Sequence, residues 1–123
     1  MTQTIYETQV TALGDLVPTF REAGMLVFFG ANAPEELHEF CILHEVTHQE
    51  DALRAGDVVT IGDTSMTVLA VGDVASDNLM NLGHLNLKAN GLTTAELPGD
   101  VNIAEQELPE VSVGTKITIT RSA

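Results

Sequence analysis

Residues 42–48, which read I-L-H-E-V-T-H, decide the fold of this chain. Apolar and β-branched residues dominate the stretch, and this pattern is typical of a β-strand rather than a helix. In a strand every second side chain points to the same face, so one face is expected to contain Ile42, His44, Val46 and His48. The letters also match the H-E-x-x-H motif of zinc metalloproteases, in which both histidines lie on a helix.

A metal site at His44 and His48 is the first alternative that this stretch raises. The strand pattern counts against it, and the downstream glycine-histidine extension of the metzincins is absent. A small metal-binding protein using His44 and His48 stays open as an alternative function. Our main interpretation assigns no metal ligand and expects no cofactor.

Strand and turn signals continue on both sides of this stretch. Helices are predicted at residues 16–23, over roughly two turns from Asn32 to Cys41, and at residues 73–82. Further strands are predicted at residues 4–11, 25–29, 58–61, 66–71, 84–89, 101–104 and 116–120. The overall prediction is a mainly β protein, a small barrel or sandwich of about seven short strands with two or three short helices.

Length and charge limit the classes of function. The 123 residues are the size of one domain, which we assign to residues 1–123. Eighteen acids against five bases give a formal net charge of -13, which disfavours nucleic acid and anionic lipid and suits a basic protein partner. The N-terminus has no pattern of a signal peptide, and no apolar run is long enough to span a membrane. We therefore expect a soluble, cytoplasmic protein.

Histidine is the residue type best placed to do chemistry here. The nucleophile turn of hydrolases, the P-loop and the dinucleotide-binding glycine motif are all absent, and Cys41 is interpreted as a core thiol. A neutral imidazole is a good nucleophile and can hold a phosphoryl group as a phosphoramidate. Such a role calls for an exposed ring with one nitrogen held by a hydrogen bond. The residues alone leave a plain structural role open for His44, as they do for His84.

Three further stretches carry a resemblance to a known family. They are E-F-C-I-L-H (39–44), A-V-G-D-V-A-S-D-N-L-M-N-L-G-H-L-N-L (70–87) and G-L-T-T-A-E-L-P-G-D-V (91–101). Together they resemble the IIA component of the glucitol/sorbitol phosphotransferase system, over nearly the whole chain. The second stretch is long and the most specific of the three.

The resemblance implies a function, a site and partners. It implies a transferase of sugar uptake that forms a phosphohistidine on His44, the one catalytic residue that we assign. The phosphocarrier protein HPr would be the donor, and the IIB component of a sugar permease would be the acceptor. It also implies a small β barrel and allows a homodimer with exchanged segments. A regulatory binding module on the same fold is the remaining alternative.

Overall fold

The computed structural model describes residues 2–122, and within that range it has eight strands, two α-helices and one turn of 3₁₀ helix. In chain order the elements are β1 (Thr2–Leu13), α1 (Val17–Glu22), β2 (Met25–Gly30), the 3₁₀ turn (Glu35–Leu37), β3 (Ile42–Gln49), β4 (Val58–Ile61), β5 (Thr64–Val71), α2 (Ala75–Leu82), β6 (Leu85–Lys88), β7 (Asp100–Ile103) and β8 (Lys116–Ser122). In this part of the chain, neither helix is long and apolar enough to cross a membrane.

The strands form one closed barrel. Their order around it is β1-β3-β2-β6-β7-β5-β4-β8, and β8 pairs back to β1. β2 runs parallel to β3 and β6 runs parallel to β7, whereas the other neighbours are antiparallel. The predicted mainly β barrel is thus confirmed, with eight strands where about seven were expected.

The helix predicted from Asn32 to Cys41 was wrong in extent. Only the single 3₁₀ turn forms there, and β3 begins at the next residue after Cys41. The backbone bonds of this segment span three residues rather than four, as in the bonds from His38 N–H to the Glu35 carbonyl and from Cys41 N–H to the His38 carbonyl. The N–H of Gly14 donates to the carbonyl of Cys41, and the N–H of Leu16 donates to the carbonyl of Glu39. Those carbonyls therefore hold the connection after β1 in place.

A single apolar core fills the barrel, because the inward positions of its strands are mostly aliphatic or aromatic. α2 covers part of this core with the buried side chains of Ala75 and Leu79. Five polar side chains are also buried, and two of them, Thr8 and His44, contact each other; the others are Asp57, Asp100 and Asn102. The large, fully buried apolar residues are Tyr6, Phe28, Ile5, Leu26, Ile42, Ile61, Met66, Leu87, Ile103, Leu108 and Ile119.

The end of β8 is fixed by a buried ion pair. The Arg121 guanidinium donates to both carboxylate oxygens of Asp57, at 2.8 and 2.9 Å, and to Asp51 at 2.8 Å and the carbonyl of Ala52 at 2.7 Å. Asp57 is 2% exposed and also accepts from the N–H of Arg54. A buried carboxylate is stable only while its oxygens are paired, so Arg121 joins β8 to the loop before β4.

We expect Arg121→Met to lower the free energy of unfolding by about 3–5 kcal/mol, because it leaves Asp57 buried without its cation. Lys116→Met is the matched control on the same strand. The Lys116 side chain is 65% exposed where it pairs with Glu7, and its loss should cost less than about 1 kcal/mol. Urea unfolding of both variants measures the difference. Equal losses in the two would contradict the assigned role of Arg121.

Candidate active site

His44 lies on β3 with its side chain inside the barrel. It is 2% exposed, and its strand neighbour Ile42 points the same way. On either side, His44 pairs with Val10 of β1 and with Gly30 of β2. The expectation of an exposed imidazole was therefore wrong, because strand alternation places this ring on the inward face.

Both ring nitrogens of His44 have a polar partner. Nδ1 lies 2.5 Å from the hydroxyl oxygen of Thr8, and Nε2 lies 2.6 Å from the backbone carbonyl oxygen of Gly83. The Thr8 hydroxyl also donates to the backbone carbonyl of Glu45, at 2.8 Å. The ring is thus held between the side chain of one strand and the backbone at the end of a helix.

Two glycines allow the backbone to approach the ring this closely. Gly83 ends α2 in the left-handed conformation, with φ of +67°. A Cβ atom added there would lie 2.9 Å from the backbone nitrogen of Gly30 and 3.1 Å from Nε2 of His44. A side chain at position 83 would therefore force the end of α2 away from the ring.

Apolar surroundings keep His44 neutral. The Phe28 ring meets the imidazole edge-on, with centroids 6.0 Å apart. Burial lowers the pKa of His44 below its ordinary value, and this outweighs the hydrogen bond to the Gly83 carbonyl, which acts in the opposite direction. The pKa of an unperturbed histidine is about 6.5, so the ring is neutral at pH 7 and has a lone pair on one nitrogen.

No cationic side chain in residues 2–122 contacts the His44 ring. Each of the five bases pairs with an acid elsewhere: Arg21 with Glu110, Arg54 with Asp51, Lys88 with Asp100, Lys116 with Glu7, and Arg121 with Asp51 and Asp57. An anion bound at the ring would therefore depend on backbone N–H groups or on a partner protein.

His48 does not share the face of His44. A register shift between β1 and β3 places an extra residue at Thr47, because Glu7 pairs with His48 while Thr8 pairs with Val46. Such a bulge breaks the alternation that would place His48 on the face of His44. His48 is exposed, as are all of residues 45–49, and it contacts Glu50 at 3.0 Å.

The expectation of one shared face for the two histidines was therefore wrong, and the structure does not support a metal site at His44 and His48. Across residues 2–122, no group of three or more His, Cys, Asp or Glu side chains is arranged to hold a metal ion.

His84 lies beside the site, with its ring against β2. Its Nδ1 is 3.3 Å from the carbonyl oxygen of Phe28, and its ring packs on Phe29 with centroids 4.7 Å apart. These contacts agree with a structural role. Because His84 directly follows Gly83, it also fixes where the chain leaves the site.

Sequence reasoning missed Thr8 and the carbonyl of Gly83 as partners of the ring. Thr8 belongs to an alternating strand and is separated from His44 by 36 positions, so no local signal joins the two. The predicted end of the helix at residue 82 is confirmed, and Gly83 is its C-cap. Nothing in its position along the sequence indicates that its carbonyl faces an imidazole.

Comparison with known proteins identifies the family. Residues 5–118 match the family described as "PTS system glucitol/sorbitol-specific IIA component". Proteins of Shigella flexneri and of Escherichia coli (strain K12), each named as a PTS system glucitol/sorbitol-specific EIIA component, are 36% identical over 111 residues. These matches cover 90% of this chain and 90% of each relative.

A solved structure agrees with the barrel. The PTS system IIA component from Enterococcus faecalis V583 superposes with a TM-score of 0.78 at 28% identity, covering 90% of this chain and 96% of that one. The resemblance found in the sequence is confirmed by both kinds of match. The chain therefore belongs to the glucitol/sorbitol-specific IIA component family of the phosphotransferase system, whose members are phosphoryl carriers.

Proposed function

We propose that His44 is the residue that carries the phosphoryl group, taking it from the phosphocarrier protein HPr and passing it to the IIB component of a glucitol/sorbitol permease. One observation carries this assignment. His44 is a buried imidazole, neutral at pH 7, with Nδ1 held by a hydroxyl group. A neutral imidazole fixed at one nitrogen can use the lone pair of the other as a nucleophile.

The surroundings of the ring support docking of a partner protein. Val46, two positions after His44, is 37% exposed, and Leu82, next to Gly83, is 51% exposed. Apolar side chains exposed beside a reactive group suit a transient protein interface. The net charge of -13 favours a partner with a basic face and would speed the encounter.

The remaining parts of the proposal concern the chain as a whole. Residues 1–123 act as one IIA domain in the cytoplasm, without a cofactor, and the family match over residues 5–118 supports this. The homodimer that the resemblance allows stays a prediction. Sedimentation equilibrium would distinguish a dimer from the single chain described here.

Labelling tests the assignment of His44. Incubation with ³²P-phosphoenolpyruvate, enzyme I and HPr should add one acid-labile, alkali-stable phosphate per chain. His44→Gln should abolish the label because it removes the nucleophile. His48→Gln, on the same strand but exposed, is the matched control and should keep the full label.

Two outcomes would contradict the proposal in different ways. A stoichiometric label on His44→Gln would show that another residue carries the phosphoryl group. A folded wild-type chain that takes no label from phospho-HPr would instead match the regulatory module considered above.

Burial of a neutral His44 predicts how stability depends on pH. In the folded chain the pKa of His44 is lowered, whereas an unfolded histidine titrates near its ordinary value of about 6.5. At a pH between these two pKa values, the unfolded chain binds a proton that the folded chain does not bind. The free energy of unfolding therefore falls as the pH drops from the higher pKa to the lower one.

The measurement compares wild type with His44→Gln by urea unfolding at a series of pH values below neutral. Wild type should lose more stability than His44→Gln as the solution is acidified. ¹H–¹⁵N NMR of the histidine rings would give the pKa of His44 directly. A pKa at or above about 6.5 would contradict the prediction.

A further inference from the structure

We propose that the groove between β5 and the loop 91–99 is a docking surface for the acceptor permease, and that the donor HPr does not use it. This inference rests on the proposed function of the chain as a phosphoryl carrier. It adds a surface that distinguishes the acceptor from the donor, which we call the loop groove. The loop groove has a volume of about 500 Å³, and its lining includes Val71, Asp73, Thr94, Glu96, Leu97 and Pro98.

Two large apolar side chains are exposed at the loop groove. Leu97, which lines it, is 55% exposed, and Val74, the N-cap of α2, is 43% exposed. The N–H of Val74 donates to the carbonyl of Pro98 at 3.0 Å, so the start of α2 is joined directly to the wall of the groove. Exposed apolar side chains beside a recess with polar residues are typical of protein–protein interfaces.

Buried polar side chains of β7 fix the loop that forms one wall. Asn102 donates to the carbonyls of Leu92 and Thr94, at 3.3 and 3.1 Å, and the Asp100 carboxylate accepts from the N–H of Leu97 at 3.2 Å. Both β7 residues are fully buried, and a buried polar group is stable only when it is hydrogen-bonded. A wall that is ordered before a partner arrives loses little conformational entropy when the partner binds.

Charge selects a basic partner for the loop groove. Asp73 and Glu96 line it, and among residues 2–122 its lining contains no lysine, arginine or histidine. Neither carboxylate has an ion pair within these described residues. A basic side chain of a partner could therefore pair with them without breaking an existing contact. The groove fits a segment that presents an apolar side chain next to a lysine or arginine.

The acceptor has the chemistry that this groove requires. The IIB component belongs to a sugar permease, and the cytoplasmic loops of membrane proteins carry an excess of lysine and arginine. A carrier docked on the permease would therefore meet basic segments beyond the IIB surface that receives the phosphoryl group. Transfer from HPr, in contrast, needs only the surface around His44.

α2 connects the loop groove with the reactive histidine. Val74 lies at its N-terminal end, and the carbonyl of Gly83, at its C-terminal end, contacts the His44 ring. Eight helical residues span about 12 Å, and a standard protein interface covers about 800 Å² of each partner. One partner can therefore bind the exposed Leu82 side chain beside His44 and reach the loop groove at the same time.

The test separates the two half-reactions of the carrier. Leu97→Ser removes the exposed apolar contact, Glu96→Lys reverses a charge, and both variants are labelled with ³²P by phospho-HPr. Each labelled chain is then isolated and mixed with membrane vesicles that contain the glucitol/sorbitol permease with its IIB component. Label uptake should stay within about two-fold of wild type, whereas transfer at low permease concentration should slow by about 10-fold, the effect of losing one important contact.

Two matched controls make the same chemical changes outside the groove. Val113→Ser replaces an apolar side chain that is 64% exposed, and Asp63→Lys reverses a charge in the turn between β4 and β5, at the other end of β5. Both controls should keep wild-type rates in both half-reactions. Higher ionic strength should reduce the deficit of Glu96→Lys but not that of Leu97→Ser, because salt screens charges alone.

Slower label uptake in the groove variants would overturn the inference, because the donor would then use the groove. Unchanged transfer in both variants would also overturn it. A wild-type dimer that Leu97→Ser dissociates, with transfer unchanged, would overturn it in favour of a second copy of this chain. Absence of label on the wild-type chain would overturn the proposed function itself.

Discussion

β1 is hydrogen-bonded along both of its edges, to β3 on one side and to β8 on the other, and these two ladders close the barrel. A closed barrel has no free edge, so the inward positions of each strand are fixed by neighbours on two sides. Thr8 and His44 are inward positions of adjacent strands. Barrel closure therefore brings a hydroxyl and an imidazole within hydrogen-bonding distance, and the site needs no long loop to hold it.

The interior position has two opposing consequences for His44. Apolar surroundings keep the ring neutral and its lone pair available, but the same surroundings separate it from any partner protein. An exposed histidine would be reached freely and would be partly protonated near its ordinary pKa of about 6.5. Gly83, whose carbonyl contacts the ring, adjoins the exposed side chain of Leu82.

Local patterns predicted most of the barrel, since the two-residue period of a strand can be read from a few neighbouring residues. The helix after Asn32 was wrong in extent because the backbone bonds of this segment span three residues rather than four, and β3 begins directly after Cys41. The bulge at Thr47, which separates His44 from His48, depends on the pairing of β1 with β3. The contact of Thr8 with His44 is equally non-local. The choice of His44 itself came from the family resemblance, because residue chemistry alone left a structural role open.

Gly30 and Gly83 pack against each other beside His44, and neither has a side chain. A Cβ atom on Gly30 would lie 2.7 Å from the carbonyl oxygen of Leu82, and one on Gly83 would lie 2.9 Å from the nitrogen of Gly30. Neither position can acquire a side chain unless its neighbour shifts as well. The two positions are therefore coupled, so a substitution at one is expected to need a shift or a substitution at the other.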